Sequence, residues 1–93
     1  GGIEAMVRAS AATYARRGLR INAVAPGLTD TKMASKILSS DAMRETAAQK
    51  IPTQRINKKE EAATAMYWLL TDAPDNLTGQ VLHLDGGMAN VLA

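Results

Sequence analysis

The chain has 93 residues, 46% of them hydrophobic and 22% charged, with a formal net charge of +2 at pH 7. Those values belong to globular sequence and allow at most one domain, whose small core would bury only about 60 to 65% of the surface its unfolded form exposes. The lack of cysteine excludes disulfides and thiolate metal sites, and His83 alone leaves zinc without its usual ligands, so no metal is expected.

Ile3, Met6, Val7, Ser10, Ala11 and Tyr14 recur at three- and four-residue steps and predict an amphipathic first helix. Gly18 suits the left-handed position past its end, and Arg16 and Arg17 suit the negative pole of the helix dipole. Arg20 completes a basic cluster, but without the interleaved aromatic rings on which single strands stack, so no nucleic-acid partner is expected. No capping residue precedes Ile3, so the helix reads as cut and the chain as a fragment. Gly1-Gly2-Ile3-Glu4 does not resemble a secretory leader, and no run reaches the ~18 apolar residues of a membrane span. The expected location is the cytoplasm, with no membrane partner.

Leu19 to Ala25 is apolar enough for a strand covered on both faces, ended by Pro26-Gly27. Asn22, inside that run, needs partners for its amide and is expected to tie the strand to a neighbouring loop. Two short helices are predicted between Asp30 and Ile51, one carrying Met33, Ala34, Ile37 and Leu38, the other Met43 and Ala47 behind a Ser40 cap. Asn57 with Glu60 gives a capping-box start to a longer helix, whose buried stripe would be Ala62, Met66, Leu69 and Leu70. Lys58 to Glu61 read as its solvated first turn, although lysines are unfavourable there. After a loop over 72–78, Gln80 to Leu84 predicts a second strand, with His83 as a structural residue in it. Asp85-Gly86-Gly87 then turns, with no return strand expected before Ala93. The order helix, strand, helices, strand is that of one βαβ unit, which would expect neighbours at its sheet edge.

Leu19-Arg20-Ile21-Asn22-Ala23-Val24-Ala25-Pro26-Gly27 followed by Thr31, then Thr78-Gly79-Gln80-Val81 and Asp85-Gly86-Gly87, resemble in order and spacing the short-chain dehydrogenase/reductase family. The similarity runs from the sixth strand and cofactor loop through the crossing helix, over Ile56 to Leu70, to the seventh strand and closing turn. Gly1 to Met6 resembles the stretch that follows the family's Tyr-x-x-x-Lys motif. The fold so implied is α/β, the carboxy-terminal part of a Rossmann-like doubly wound parallel sheet. Residues 1–93 would form one portion of a single NAD(P)-binding domain whose dinucleotide-binding half lies outside the chain. The catalytic serine, tyrosine and lysine would be missing too, since Gly18 and Thr71 stand four residues after Tyr14 and Tyr67.

The resemblance implies reversible hydride transfer between NAD or NADP and a small-molecule carbonyl or secondary alcohol. Pro26, Gly27, the backbone of Leu28 and the hydroxyl of Thr31 would meet the nicotinamide, while Met33, Ile37 and Met43 would line a substrate lid. No catalytic residue is assigned to the chain. Local chemistry alone favours Pro26-Gly27 as a plain turn and Thr31 as a helix cap, and the methionines fill cores at least as often; the resemblance reverses the first two. A homo-dimer or homo-tetramer is expected of the full-length protein. A second reading keeps the same unit as a non-enzymatic association module.

Overall fold

The computed structural model describes residues 2–89, and the expectation about the chain beyond the closing turn, out to Ala93, falls in part outside them. The chain divides into two compact units, one made of Gly1–Val24 and Thr64–Leu82, the other of Ala25–Ala63 and His83–Ala93. Among the described residues no helix is long and apolar enough to cross a membrane.

In the first unit, α1 (Gly2–Tyr14) runs into a 3-10 turn over Ala15–Arg17 and stops at Gly18, whose φ of 81° is the left-handed cap expected of it. Its amide donates to the Ala15 carbonyl at 3.0 Å. Val7 and Ala11, one turn apart, are buried, whereas Ile3 and Met6 from the same predicted face are exposed. Gly79, with φ +74°, packs so near α1 that a Cβ there would stand 3.3 Å from that of Ala11.

The first strand is shorter than its apolar run. β1 spans Ala23–Pro26, and Leu19 to Asn22 lie outside it. Side chains supply part of the hydrogen bonding there. The Ile21 amide donates to Thr78 Oγ1 at 3.0 Å; Asn22 Nδ2 donates to the Leu77 carbonyl at 3.2 Å, and its Oδ1 accepts from the Gln80 amide at 3.0 Å. Asn22 is therefore the tie between strand and loop that its half-buried amide required. Pro26 lies inside β1 as its last residue, a position that asks no donation from its nitrogen.

β1 pairs with β4 (Val81–Leu84). In the first unit the Gly79 amide donates to the Ile21 carbonyl at 2.8 Å and the Ala23 amide to the Gln80 carbonyl at 2.9 Å. The partners advance together along both segments, so the pair is parallel. The chain is thus α/β with parallel strands, as its element order implied.

Two very short strands were not foreseen: β2 (Thr29–Asp30) pairs in parallel with β3 (Asn57–Lys58), Thr29 opposite Asn57 and Asp30 opposite Lys58. Two-residue runs carry no periodicity to detect. In the same unit, α2 (Lys32–Ile37) is capped by Thr31 and α3 (Asp41–Gln49) by Ser40, whose Oγ accepts from the Met43 amide at 3.2 Å. Buried residues of this unit include Ala34, Ile51 and Asn57.

α4 (Lys59–Thr71) starts two residues later than its predicted cap. Glu61 reaches back, accepting the Lys58 amide at 3.0 Å, and it also holds both terminal nitrogens of Arg55, while the Asn57 amide goes to the Leu28 carbonyl. The lysines of the first turn are exposed as expected, but Glu61 is committed to these partners. The predicted buried stripe is only partly buried: Ala62 and Leu69 are half-buried, Met66 is exposed and Leu70 is 85% exposed. Spacing identifies an apolar face but not what, if anything, lies against it.

Candidate functional site

The carboxyl ends of β1 and β4, Pro26 and Leu84, both belong to the second unit. Ligands of open α/β sheets are met beyond such ends. Gly27 donates its amide to the Leu84 carbonyl at 2.9 Å, and the next residue, Leu28, accepts the Asn57 amide at 2.9 Å. Asn57 is 7% exposed, and its Nδ2 donates to the same Leu84 carbonyl that Gly27 uses. One buried residue therefore joins the turn after β1, through its backbone amide, to the end of β4, through its side chain.

Gly27 has a specific reason to be glycine. A Cβ there would fall 2.9 Å from Asp85 Cβ and 3.1 Å from Asp85 Cα. The small residue is thus required by the close passage of the Asp85 turn. Asp85 organises that turn, accepting the Gly87 amide on Oδ1 at 3.0 Å and the Ala89 amide on Oδ2 at 3.2 Å. Gly86, with φ +66°, lies against Ile51 and Thr53, and its carbonyl accepts the Thr53 amide at 3.2 Å.

Beyond Gly27 the chain is held by its own hydroxyls. Thr29 Oγ1 donates to the Gly27 carbonyl at 2.9 Å, and Thr31 Oγ1 accepts the Ala34 amide at 3.2 Å. Thr31 is therefore the helix cap that local chemistry predicted. Capping uses one acceptor position of a hydroxyl, which keeps its proton as a donor and a second lone pair. Leu28 likewise retains one lone pair on its carbonyl after accepting from Asn57. Both residues are exposed.

Around Thr31 lies an open depression of about 550 Å³, lined also by Lys32, Ser35, Lys36, Lys58 and Lys59. Its four lysines outnumber the two carboxylates on the same lining, Asp30 and Glu60, which leaves a net positive charge that favours anionic ligands. Asp30, on its wall, is paired with Arg44 at 3.3 Å. The guanidinium also donates to Ser35 Oγ at 3.0 Å.

The three predicted lid residues are exposed: Met33 74%, Ile37 66% and Met43 45%. They do not fill the core. Met33 and Ile37 share one face of α2 a turn apart, while Met43 lines a separate depression of about 360 Å³ with Leu38 and Ala47. The structure thus gathers Pro26, Gly27, Leu28 and Thr31 along one loop and leaves Met43 in a different recess. His83 is exposed on β4 and makes no part of either depression.

Sequence reasoning missed Asn57, Asp30 and Arg44. Asn57 carried the signature of a cap, and its partners lie 27 or more residues away. Asp30 and Arg44 are 14 residues apart, beyond any local pattern. Glu61 was within reach, because it follows Lys58 by the same three residues that separate Glu60 from Asn57.

The family model described as Enoyl-(Acyl carrier protein) reductase matches residues 1–89. The 3-oxoacyl-[acyl-carrier-protein] reductase of Thermotoga maritima is 40% identical over 87 residues, which cover 94% of this chain and 35% of that protein. A short chain dehydrogenase family protein from Francisella tularensis superposes with a TM-score of 0.86 at 28% identity, covering 98% of this chain and 41% of that one. A gluconate 5-dehydrogenase from Burkholderia cenocepacia, solved in complex with NADP and tartrate, gives 0.83 at 26% identity, over 97% of this chain and 35% of that one. The chain spans about a third of the length of the curated relatives it matches. With a family model matching residues 1–89, a relative 40% identical over 94% of this chain and a parallel α/β fold that superposes on a short chain dehydrogenase, the chain belongs to the short-chain dehydrogenase/reductase family.

Proposed function

We propose that this chain is the carboxy-terminal portion of an NAD(P)-binding Rossmann-like domain, in an oxidoreductase that moves hydride between NAD or NADP and a carbonyl or secondary alcohol. The observation that carries the reading is the placement of Leu28 and Thr31. They lie just past the carboxyl end of a parallel strand, each with hydrogen-bonding capacity left after its structural bonds are made. The lysine-lined depression beside Thr31 supports an anionic ligand such as a dinucleotide. So does the NADP found in the Burkholderia relative.

A nicotinamide carboxamide has one acceptor and two donor hydrogens. The Thr31 hydroxyl donates to its oxygen and the Leu28 carbonyl accepts from its nitrogen, which fixes the ring face presented to substrate. Pro26 and Gly27 carry the backbone to that position. When bound, the reduced ring supplies the hydride; this chain's residues orient it, and the exposed Met33 and Ile37 provide apolar surface for a small-molecule substrate, with Met43 set apart in its own recess. The setting that goes with this reading is a cytoplasmic homo-dimer or homo-tetramer.

The test separates the two jobs of Thr31. Aspartate caps helices well but has no proton to donate when ionised. In the native protein that contains this chain, Thr31→Asp is expected to keep the melting temperature and raise KM for NAD(P)H at least tenfold, while Thr31→Ser keeps both near wild type. An unchanged KM in Thr31→Asp would overturn the assignment.

A further inference from the structure

We infer that Arg44, on α3, is a positioning residue for the cofactor contact of Thr31, acting through the two residues that hold Thr31 from either side. Resting on the proposed role of Thr31, this adds a control from outside the loop. Three links join Arg44 to Thr31. Arg44 Nη1 and Nη2 each lie 3.3 Å from Asp30 Oδ1, and Asp30 is the neighbour immediately before Thr31. Arg44 Nη2 also donates to Ser35 Oγ at 3.0 Å, and the Ser35 amide donates to the Thr31 carbonyl at 2.9 Å. Ser35 Oγ in turn lies 3.4 Å from Asp30 Oδ1, which closes the ring.

A guanidinium suits this place because its planar fork addresses a carboxylate and a hydroxyl at once, which a single ammonium cannot match with the same geometry. The side chain of Arg44 is 33% exposed and that of Asp30 53%, so the contact is open to screening by salt and is strongest at low ionic strength. Asp30 is fixed on its other side by the β2–β3 pairing opposite Lys58. Arg44 therefore links the start of α3 to a strand-anchored carboxylate and to the first turn of α2, with Thr31 lying between them. Loss of the fork frees the Asp30-Thr31 segment without touching the hydroxyl itself.

The experiment is a double-mutant cycle in the native protein, read as KM for NAD(P)H against kcat at low and high ionic strength. Arg44→Met is expected to raise KM for the nicotinamide cofactor about five- to tenfold at low salt, with kcat and melting temperature little changed. Arg44→Lys, which keeps charge but not the fork, should recover only part of the loss. Asp30→Asn should cost a similar factor, and Arg44→Met added to Asp30→Asn should cost little more, because the two act through one contact. An Arg44→Met variant with wild-type KM, or fully additive losses in the double variant, would overturn the inference. If Thr31→Asp leaves KM unchanged as well, the proposed function fails; if only the Arg44 variants are silent, that function stands and the control through α3 does not.

Discussion

The buried amide of Asn57 and the backbone amide of Gly27 both donate to the carbonyl of Leu84, so the last residue of β4 holds the loop after β1 by two routes. A carbonyl has two lone pairs, and here both are occupied. Asn57→Ala removes the side-chain donor and leaves a buried position partly empty. It should lower stability by about 1 kcal/mol, the usual net worth of one hydrogen bond, because Gly27 still satisfies the Leu84 carbonyl. Urea unfolding followed by circular dichroism measures it; a loss below about 0.5 kcal/mol would mean that the amide is not holding the strand end.

Gly86 meets two obstacles to replacement. A Cβ would stand 2.3 Å from Thr53 Oγ1 and 2.4 Å from Ile51 Cγ2, and the residue has φ +66°. Gly86→Ala therefore combines steric overlap with a disfavoured backbone conformation and should destabilise by about 2 to 4 kcal/mol. Gly2→Ala, where nothing lies within 4 Å, is the control; at the first position of α1 it should be neutral to slightly stabilising, and thermal melts of both variants measure the contrast.

Glu61 predicts a specific acid sensitivity. The hydrogen bonds from Arg55, then that from the Lys58 amide, hold its carboxyl down at about 2 from an ordinary 4.5. Because the folded value is depressed, the stabilisation is complete above 4.5 and is lost as pH falls from there through about 2. Wild type should lose α4 helicity over that window, and Glu61→Gln should show a shallower acid dependence there. The two proteins should respond alike above pH 5. Equal slopes for both below pH 4.5 would contradict the linkage.

Met33 and Ile37 are exposed enough for their functional and structural costs to be told apart. Surface substitutions away from caps and packed contacts change stability by about 0.5 kcal/mol or less. The double change Met33→Ser with Ile37→Ser should therefore leave the melting temperature in place while raising KM for apolar carbonyl substrates several-fold. A fall in melting temperature of 5 °C or more would show that these side chains are packed in the native protein.

What could be read in advance was local. Gly18, Ser40 and Thr31 act at helix ends through bonds spanning three or four residues, and their chemistry is written in the adjoining sequence. Asn22 was legible for a different reason, since an amide inside an apolar run must have partners wherever they are. Asn57 misled because a cap and a clamp use the same residue type, and only the fold brings Leu28 and Leu84 to it. The first strand was overextended because Leu19 and Ile21 are apolar, yet the bonds of that segment go in part to side chains of Thr78 and Asn22 rather than along a ladder. In the candidate site, the Pro26 to Thr31 loop was recoverable as a motif. The Arg44 to Asp30 contact was not, because a separation of 14 residues leaves no trace in periodicity.

Asn22 has one more consequence. Its two-headed side chain reads Leu77 and Gln80 simultaneously, so it measures the distance between two points three residues apart on the incoming segment. Sliding that segment by a single residue would carry both backbone groups away from the amide and break both bonds. Asn22 therefore adds a polar penalty against slippage to the one that side-chain alternation already imposes, and favours the observed alignment of β4 with β1.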